Sequence, residues 1–247
     1  MKNTKKKVLV GALVVSLAAL VSVGSIAWFS ASDKVENKFM VATSKDDPDN
    51  PDFNVDVWEK TPDPNKPHEE SGYTYPDVMP GDTLTKEVHV KNTGKYEEYV
   101  RMVVKVSDAT AWAGLLNKTK PGATAGDPAV PDPSQIALGN LVEGLNTTNF
   151  ENGMYTPVYD AATDTLTYVY YAKEKLDADD ELVFFDAVVI PGSMTQEQAD
   201  AFTKKGNDTQ GSFTIDVEAQ AVQVQNLGND PKAAFATVKM DKTIDGQ

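Results

Sequence analysis

Two stretches of this chain alternate apolar and polar residues with the period of a half-buried β-strand. The first, TLTKEVHV, starts at Thr83 and leads into the turn-forming tripeptide Asn92-Thr93-Gly94. The second, SFTIDVEAQA, starts at Ser212. Because successive side chains of a strand point to opposite faces, each stretch predicts a strand with one buried face.

Further strand-like segments fill most of the chain. FNVDVWE, YVRMVVKV, TLTYVYYA and ELVFFDAVV are separated by turn signals and not by long helical patterns. Without a βαβ rhythm, this order predicts an all-β fold: an antiparallel jelly roll or β-sandwich with short helical insertions. In the last strand the parity shifts at Val222 and Val224, which predicts a bulge. Strand parity assigns to the core Val55, Val57, Leu84, Val88, Val90, Val103, Phe213, Ile215 and Val217.

Three regions are expected to differ from the strands. Residues 108–149 combine helix-like apolar spacing with a stretch rich in proline, glycine and alanine, which predicts a surface insertion with one or two short helices. The segment TQEQADAF predicts another helix, because Thr195 and Gln198 have the spacing of a capping box. Residues 228–247 are polar, and we expect a loose C-terminal tail there.

The amino terminus has the features of an export signal. A basic start, MKNTKKK, precedes an uncharged apolar run over residues 8–23 and the small-residue site Ser25-Ile26-Ala27. This order predicts a signal peptide over residues 1–27, cut between Ala27 and Trp28, with Ala31 as the second choice. The alternative is a single membrane anchor, for which the run is short of the ~20 residues that cross a bilayer.

Residues 28–43, which follow the signal, predict an amphipathic strand. Five of its apolar residues share one parity, which is interrupted by Asp33 and Asn37. An acidic, proline-broken linker, residues 44–52, separates it from a predicted jelly-roll domain over residues 53–227. The candidate anchors of this strand are Phe29, Ala31, Val35, Phe39 and Val41.

Composition and motifs exclude several classes of function. The 247 residues carry a net charge of −14 and no cysteine, so disulfides and thiol chemistry are excluded and nucleic acid is a poor partner. No HExxH, Gly-x-Ser-x-Gly or GxGxxG motif occurs, so we expect neither an enzyme nor a cofactor. Of the two histidines, His68 lies in a proline-rich loop, and strand parity places His89 towards solvent.

Two further features have a structural and a functional interpretation. Acidic clusters at residues 46–52 and 177–181 lack the spacing of an EF-hand, so a solvated turn is favoured over a calcium site. Tyr168 and Tyr170 share one face of a strand, where core packing is favoured over a carbohydrate platform. The acids concerned are Asp46, Asp47, Asp49, Asp52, Asp177, Asp179, Asp180 and Glu181.

Three segments resemble the TasA/camelysin proteins of Gram-positive bacteria. The junction GSIAWFSASDKVENKF is similar to that family's signal-to-mature boundary. MPGDTLTKEVHVKNTGKYEEYVRMVVKV resembles its turn–strand–turn–strand block, and GSFTIDVEAQAVQVQNL is similar to its last core strand. Residues 108–150 match nothing in the family.

The resemblance implies a secreted, jelly-roll-like matrix protein, processed by a SipW-type signal peptidase. It implies a head-to-tail homopolymer in the biofilm matrix, in which the N-terminal strand of one copy completes a sheet of the next. Such a chain meets the membrane only before cleavage, and an accessory matrix protein is left open as a partner. Two alternatives are a camelysin-like metalloprotease and a monomeric cell-surface adhesin or carbohydrate-binding sandwich.

Overall fold

Two antiparallel β-sheets packed face to face form the protein in the computed structural model, as the sequence predicts. The predicted signal peptide, the acidic linker and all predicted anchors except Ala31 lie outside the described residues. For β1 only the backbone is described. The described residues are 30–34, 53–65, 67–70, 72–75, 77–120, 129–154, 156–202, 211–225, 227–238 and 240–245.

The larger sheet, sheet A, has the strand order β1-β12-β4-β10-β8, and β9 also pairs with β10. The smaller sheet, sheet B, has the order β2-β3-β11-β7. The strands of sheet A are β1 (Ser30–Lys34), β4 (Glu98–Val106), β8 (Phe150–Asn152), β9 (Val158–Asp160), β10 (Thr165–Ala172) and β12 (Ile215–Gln223). Those of sheet B are β2 (Val55–Lys60), β3 (Thr83–Asn92), β7 (Val142–Glu143) and β11 (Glu181–Val189).

Short elements complete the described part of the chain. A separate two-stranded ribbon pairs β5 (Thr119–Lys120) with β6 (Val130–Pro131), and 3₁₀ turns cover Pro133–Gln135 and Leu138–Asn140. The helices are α1 (Ala109–Leu115), α2 (Gln196–Asp200), α3 (Pro231–Val238) and α4 (Lys242–Asp245). Helix α2 begins with the predicted capping box, in which Thr195 accepts from the Gln198 N–H and Gln198 accepts from the Thr195 N–H. Among the described residues, no helix is both long and apolar enough to cross a bilayer.

The core between the sheets contains eight of the nine residues assigned by strand parity. Leu84 and Phe213 are half-buried at its margin, and the other six are buried. Val103 is buried too, but its β4 neighbours Val100, Met102, Val104 and Val106 fill the core instead. The prediction for Val103 is wrong because β4 is apolar on both faces, so its parity does not identify the inner side.

The described part of the predicted insertion, residues 108–120 and 129–149, contributes buried side chains to the core, in contrast to the surface insertion that the sequence predicts. Trp112 of α1 is fully buried and meets Phe202 and Phe213 edge to face. Ile136, Leu138 and Leu141 are also fully buried. The short helices are present as predicted, but their apolar sides complete the sandwich.

The described residues of the predicted loose tail, 228–238 and 240–245, instead form an ordered outer layer. Helices α3 and α4 lie in the C-terminal segment 228–245, which we call the C-terminal strap. Its Phe235 is fully buried against the outer face of sheet A, where it meets Tyr171 edge to face. Polar residues dominate this segment, but its few apolar side chains share one side, and that side covers the sheet.

The strap also explains the parity shift in the last strand. Strand β12 pairs with β4 in unbroken register from Ile215 to Gln223, so there is no bulge at Val222. Val222 is fully buried on the outer face, in the same cluster as Phe235. A strand covered on both faces is apolar on both parities, which mimics the sequence pattern of a bulge.

Candidate strand-accepting edge

The first described strand forms one edge of sheet A. β1 pairs antiparallel with β12 of the same chain, with Ser30 opposite Val222 and Lys34 opposite Glu218. It has no second partner strand among the described elements, and β12 continues the sheet on its other side through β4. β1 also lies beside β2 of sheet B. It therefore closes the sandwich where the two sheets meet.

The register places one predicted anchor on this edge. Ala31 lies opposite Ala221, and Asp33 lies opposite Ala219. The predicted cleavage residues Ala27 and Trp28, and the anchors Phe29, Val35, Phe39 and Val41, fall outside the described residues.

β12 presents a different row of side chains on each face of the sheet. Val217, Ala219 and Ala221 are buried in the core between the sheets. On the outer face, Gln220 is buried beneath the strap, whereas Glu218 is partly exposed. β12, which we call the accepting strand because β1 pairs with it, therefore has apolar side chains on its inner row. Part of its outer row is polar.

A buried carboxyl lies where the chain enters β2. Glu98 is 1% exposed; its Oε1 accepts from the backbone N–H of Asn54, and its Oε2 has no hydrogen-bond partner. Burial raises the pKa of Glu98 to about 8, against a smaller lowering by the Asn54 N–H. Asn54 directly precedes β2, so this carboxyl lies next to the chain that arrives from β1.

His89 is covered, in contrast to the solvent-facing position predicted from parity. Its ring stacks on Trp58 with centroids 3.8 Å apart, and His68 also stacks on Trp58, at 4.3 Å. Strand parity does place His89 on the outer face of sheet B, but Trp58 of the neighbouring strand and the loop of His68 shield it.

Both ring nitrogens of His89 face carboxylates. Nδ1 is 2.7 Å from Glu181 Oε1, and Nε2 is 2.8 Å from Glu87 Oε1. The hydrogen bond with His89 lowers the pKa of Glu87. Both nitrogens therefore have a partner within the protein and would have to give one up to bind a zinc ion.

The acidic turn at 177–181 and the tyrosine pair of β10, whose functional alternatives are a calcium site and a carbohydrate platform, have structural roles. In the acidic turn at 177–181, the Asp177 N–H donates to Asp180. Tyr168 and Tyr170 are buried in the core, and Tyr168 donates to the Ile136 carbonyl. Within the described part of the chain, no group of three or more His, Asp or Glu side chains is placed to hold a metal ion. The cluster Asp46, Asp47, Asp49 and Asp52 lies outside it.

Sequence reasoning missed the buried charge next to the accepting strand. Arg101 of β4 lies opposite Gln220 in the register, is fully buried, and pairs with Asp245 of α4. A cationic residue in the middle of the apolar segment YVRMVVKV is the one signal that indicates a buried partner. The partner itself is 144 residues away in the chain, beyond the reach of any local pattern.

The chain matches no family model, no curated protein and no solved structure.

Proposed function

We propose that this protein is a secreted structural protein that polymerises into extracellular fibres of a biofilm matrix, with β1 of one copy paired to β12 of the next. The observation that carries the proposal is the position of β1: it is an edge strand whose one partner among the described strands is β12, and it precedes the other described elements. The proposal assigns no catalytic activity and no cofactor. It includes removal of residues 1–27 by a SipW-type signal peptidase, as the family resemblance implies.

Exchange of β1 between copies requires no new kind of contact. The β1–β12 ladder forms the same backbone hydrogen bonds whether both strands come from one chain or from two. Residues 35–54 lie between the two elements and, at ~3.3 Å per residue when extended, reach roughly 65 Å, enough for β1 to span to a neighbouring copy. Because the donor and the accepting edge are different surfaces, the repeated contact is heterologous and generates a filament.

An unpaired β12 edge favours capture of a strand. A sheet edge presents a row of free N–H and C=O groups, which pair readily with an extended segment. Without β1, the buried Ala219 and Ala221 would also lose cover at this edge. Both effects favour a β12 edge that is paired with a β1 strand, whether that strand belongs to the same chain or to another copy.

A monomeric adhesin remains the second candidate because β1 lies on its own chain. In that case β1 stays paired with β12 of its own chain, and the protein meets its partners as a monomer with an acidic surface. The metalloprotease alternative has less support, because His89 is engaged by Glu87 and Glu181. Casein cleavage with and without a chelator tests it directly.

The decisive experiment exploits the absence of cysteine from the chain. Two single-cysteine variants of the chain that begins at Trp28, Ala31→Cys and Ala221→Cys, are mixed, incubated under assembly conditions and mildly oxidised. The two positions are directly opposed in the register, at a separation that a disulfide spans. A disulfide between the two variants requires β1 of one copy to lie on β12 of another.

The expected result is a mixed disulfide dimer on a non-reducing gel, and in the double variant a ladder of covalent oligomers. A matched control pairs Ser32→Cys with Ala221→Cys, since adjacent strand positions face opposite sides and their Cβ vectors diverge. Only an intramolecular disulfide in the double variant, with no mixed dimer, would overturn the fibre proposal and support the monomer.

A further inference from the structure

The C-terminal strap binds the buried guanidinium of Arg101 in sheet A. Arg101 is fully buried, and its two terminal nitrogens donate to the two carboxylate oxygens of Asp245, one of them at 3.0 Å. The same guanidinium lies over the ring of Phe235, 4.4 Å from its centroid. Both helices of the strap therefore contact one side chain of β4.

The remaining nitrogen of Arg101 leads to the accepting strand. Its Nε donates to Gln220 Oε1 at 2.6 Å, and Gln220 Nε2 donates to Glu218 Oε1 at 2.8 Å. In the register, Gln220 lies opposite Ser32 and Glu218 lies opposite Lys34. A continuous line of charge-assisted hydrogen bonds thus runs from the end of the strap to the strand that pairs with β1.

This line makes the strap and the accepting edge energetically dependent on each other. A fully buried guanidinium is tolerated only while its donors are satisfied, and removing the carboxylate leaves an uncompensated charge. Arg101 can then reach water only if the strap lifts or if Gln220 gives up its position. Either movement changes the outer row of β12.

We infer that the C-terminal strap is part of the strand-accepting site, with Asp245 as a positioning residue that holds β12 ready through Arg101 and Gln220. The role of the strap in fibre assembly rests on the proposed function. Its effect on β1–β12 pairing applies equally when both strands belong to one chain. A docked strap keeps Gln220 and Glu218 fixed along the edge, whereas a released strap frees them and weakens pairing.

The test measures the rate of disulfide formation in the double variant Ala31→Cys/Ala221→Cys, counting bonds within and between chains together. Asp245→Asn removes the negative charge, and Gln220→Met breaks the line while the Arg101–Asp245 pair stays. We expect either change to slow disulfide formation about tenfold or more, since a buried ionic contact is lost or disconnected. Near-UV circular dichroism verifies that the sandwich remains folded.

The matched control is Glu151→Gln, which breaks the exposed ion pair between Glu151 and Lys232 of the strap, 3.0 Å long. It weakens another anchor of the same strap without touching Arg101, and we expect a change within about twofold, as for surface pairs. Disulfide formation at the parental rate in folded Gln220→Met and Asp245→Asn variants would overturn the inference. If Asp245→Asn does not fold, Gln220→Met alone decides. This rate counts disulfides within one chain and between chains equally, so it does not depend on whether fibres form. Failure of the fibre proposal is measured separately, by the absence of the mixed disulfide dimer.

Discussion

Lys86 donates to Glu59 inside the sandwich, where the two side chains are 8% and 0% exposed. They lie on neighbouring strands of sheet B, on the inward parity of Val57 and Val88. The other oxygen of Glu59 accepts the Tyr73 N–H at 2.9 Å. One buried carboxylate thus joins β2, β3 and the loop between them.

Lys86→Met should cost about 3–5 kcal/mol of unfolding free energy, because Glu59 is left buried without a cation. Urea unfolding measures it. The control is Lys60→Met, which removes the 3.5 Å pair of Lys60 with Glu87 at the surface and should cost at most ~1 kcal/mol. Equal costs in the two variants would contradict a buried ion pair. The double variant Glu59→Leu/Lys86→Met should recover much of the loss, since neither charge remains.

Strand alternation predicted the sandwich because burial of one face imposes a period of two wherever the other face is wet. Ile215 and Val217 follow that rule and lie in the core. The rule fails where both faces of a strand are buried, as at Val103, and where the strap covers the outer face, as at Val222. There the pattern records that both sides are dry, and it cannot identify which side is the core.

The strap and its partners could not be predicted for a different reason. The pair of Arg101 with Asp245 and the stack of His89 on Trp58 depend on which segments meet in space. Local spacing contains no such information. For the β12 edge, the sequence indicated an amphipathic strand after the predicted signal peptide, but not that β12 would pair with it.

Glu98→Gln should flatten the dependence of stability on pH. The folded pKa of about 8 lies above the ordinary value of 4.5, so the folded state holds a proton that the unfolded state releases. Wild-type stability from this group is therefore fully present below pH 4.5 and is lost as the pH rises towards 8, by a few kcal/mol. Glutamine keeps an oxygen for the Asn54 N–H and has no charge.

Urea unfolding of wild type and Glu98→Gln at pH 5 and pH 8.5 measures this effect. At the higher pH, the unfolding free energy of the variant should rise relative to that of the wild type. Taking the difference between the two unfolding free energies cancels the titration of other groups. An unchanged difference at both pH values would show that Glu98 is not neutral in the fold.

Ile215→Ala should reduce the unfolding free energy by about 2–5 kcal/mol, since Ile215 is 8% exposed and packs into the core at the start of β12. Ile215→Val provides the graded control and should cost about 0.5–1.5 kcal/mol, because it removes one methyl group. A cost below ~0.5 kcal/mol for alanine would mean that the site is at the surface.

The secreted protein should begin at Trp28, because the small-residue site ends at Ala27. Intact mass spectrometry of the secreted material measures it. Cleavage after Ala31, the second choice, would remove the first two residues of β1 and leave the edge short. A start within residues 36–42 would remove β1 altogether and contradict the fibre proposal.

Deleting residues 28–41 should leave a folded monomer with an open β12 edge, because the described elements from β2 onwards supply the rest of the sandwich. This truncated protein should bind a synthetic peptide of residues 28–41, which isothermal calorimetry measures. Full-length protein should bind it far more weakly, since β1 already occupies the edge. In full-length protein, Phe39→Asp should abolish fibres, because a charge would replace the apolar side chain that the proposal expects to anchor the strand on the next copy. The same change in the peptide provides its matched control and should weaken binding. Fibres of unchanged diameter and repeat from the truncated protein would show that polymerisation uses another surface.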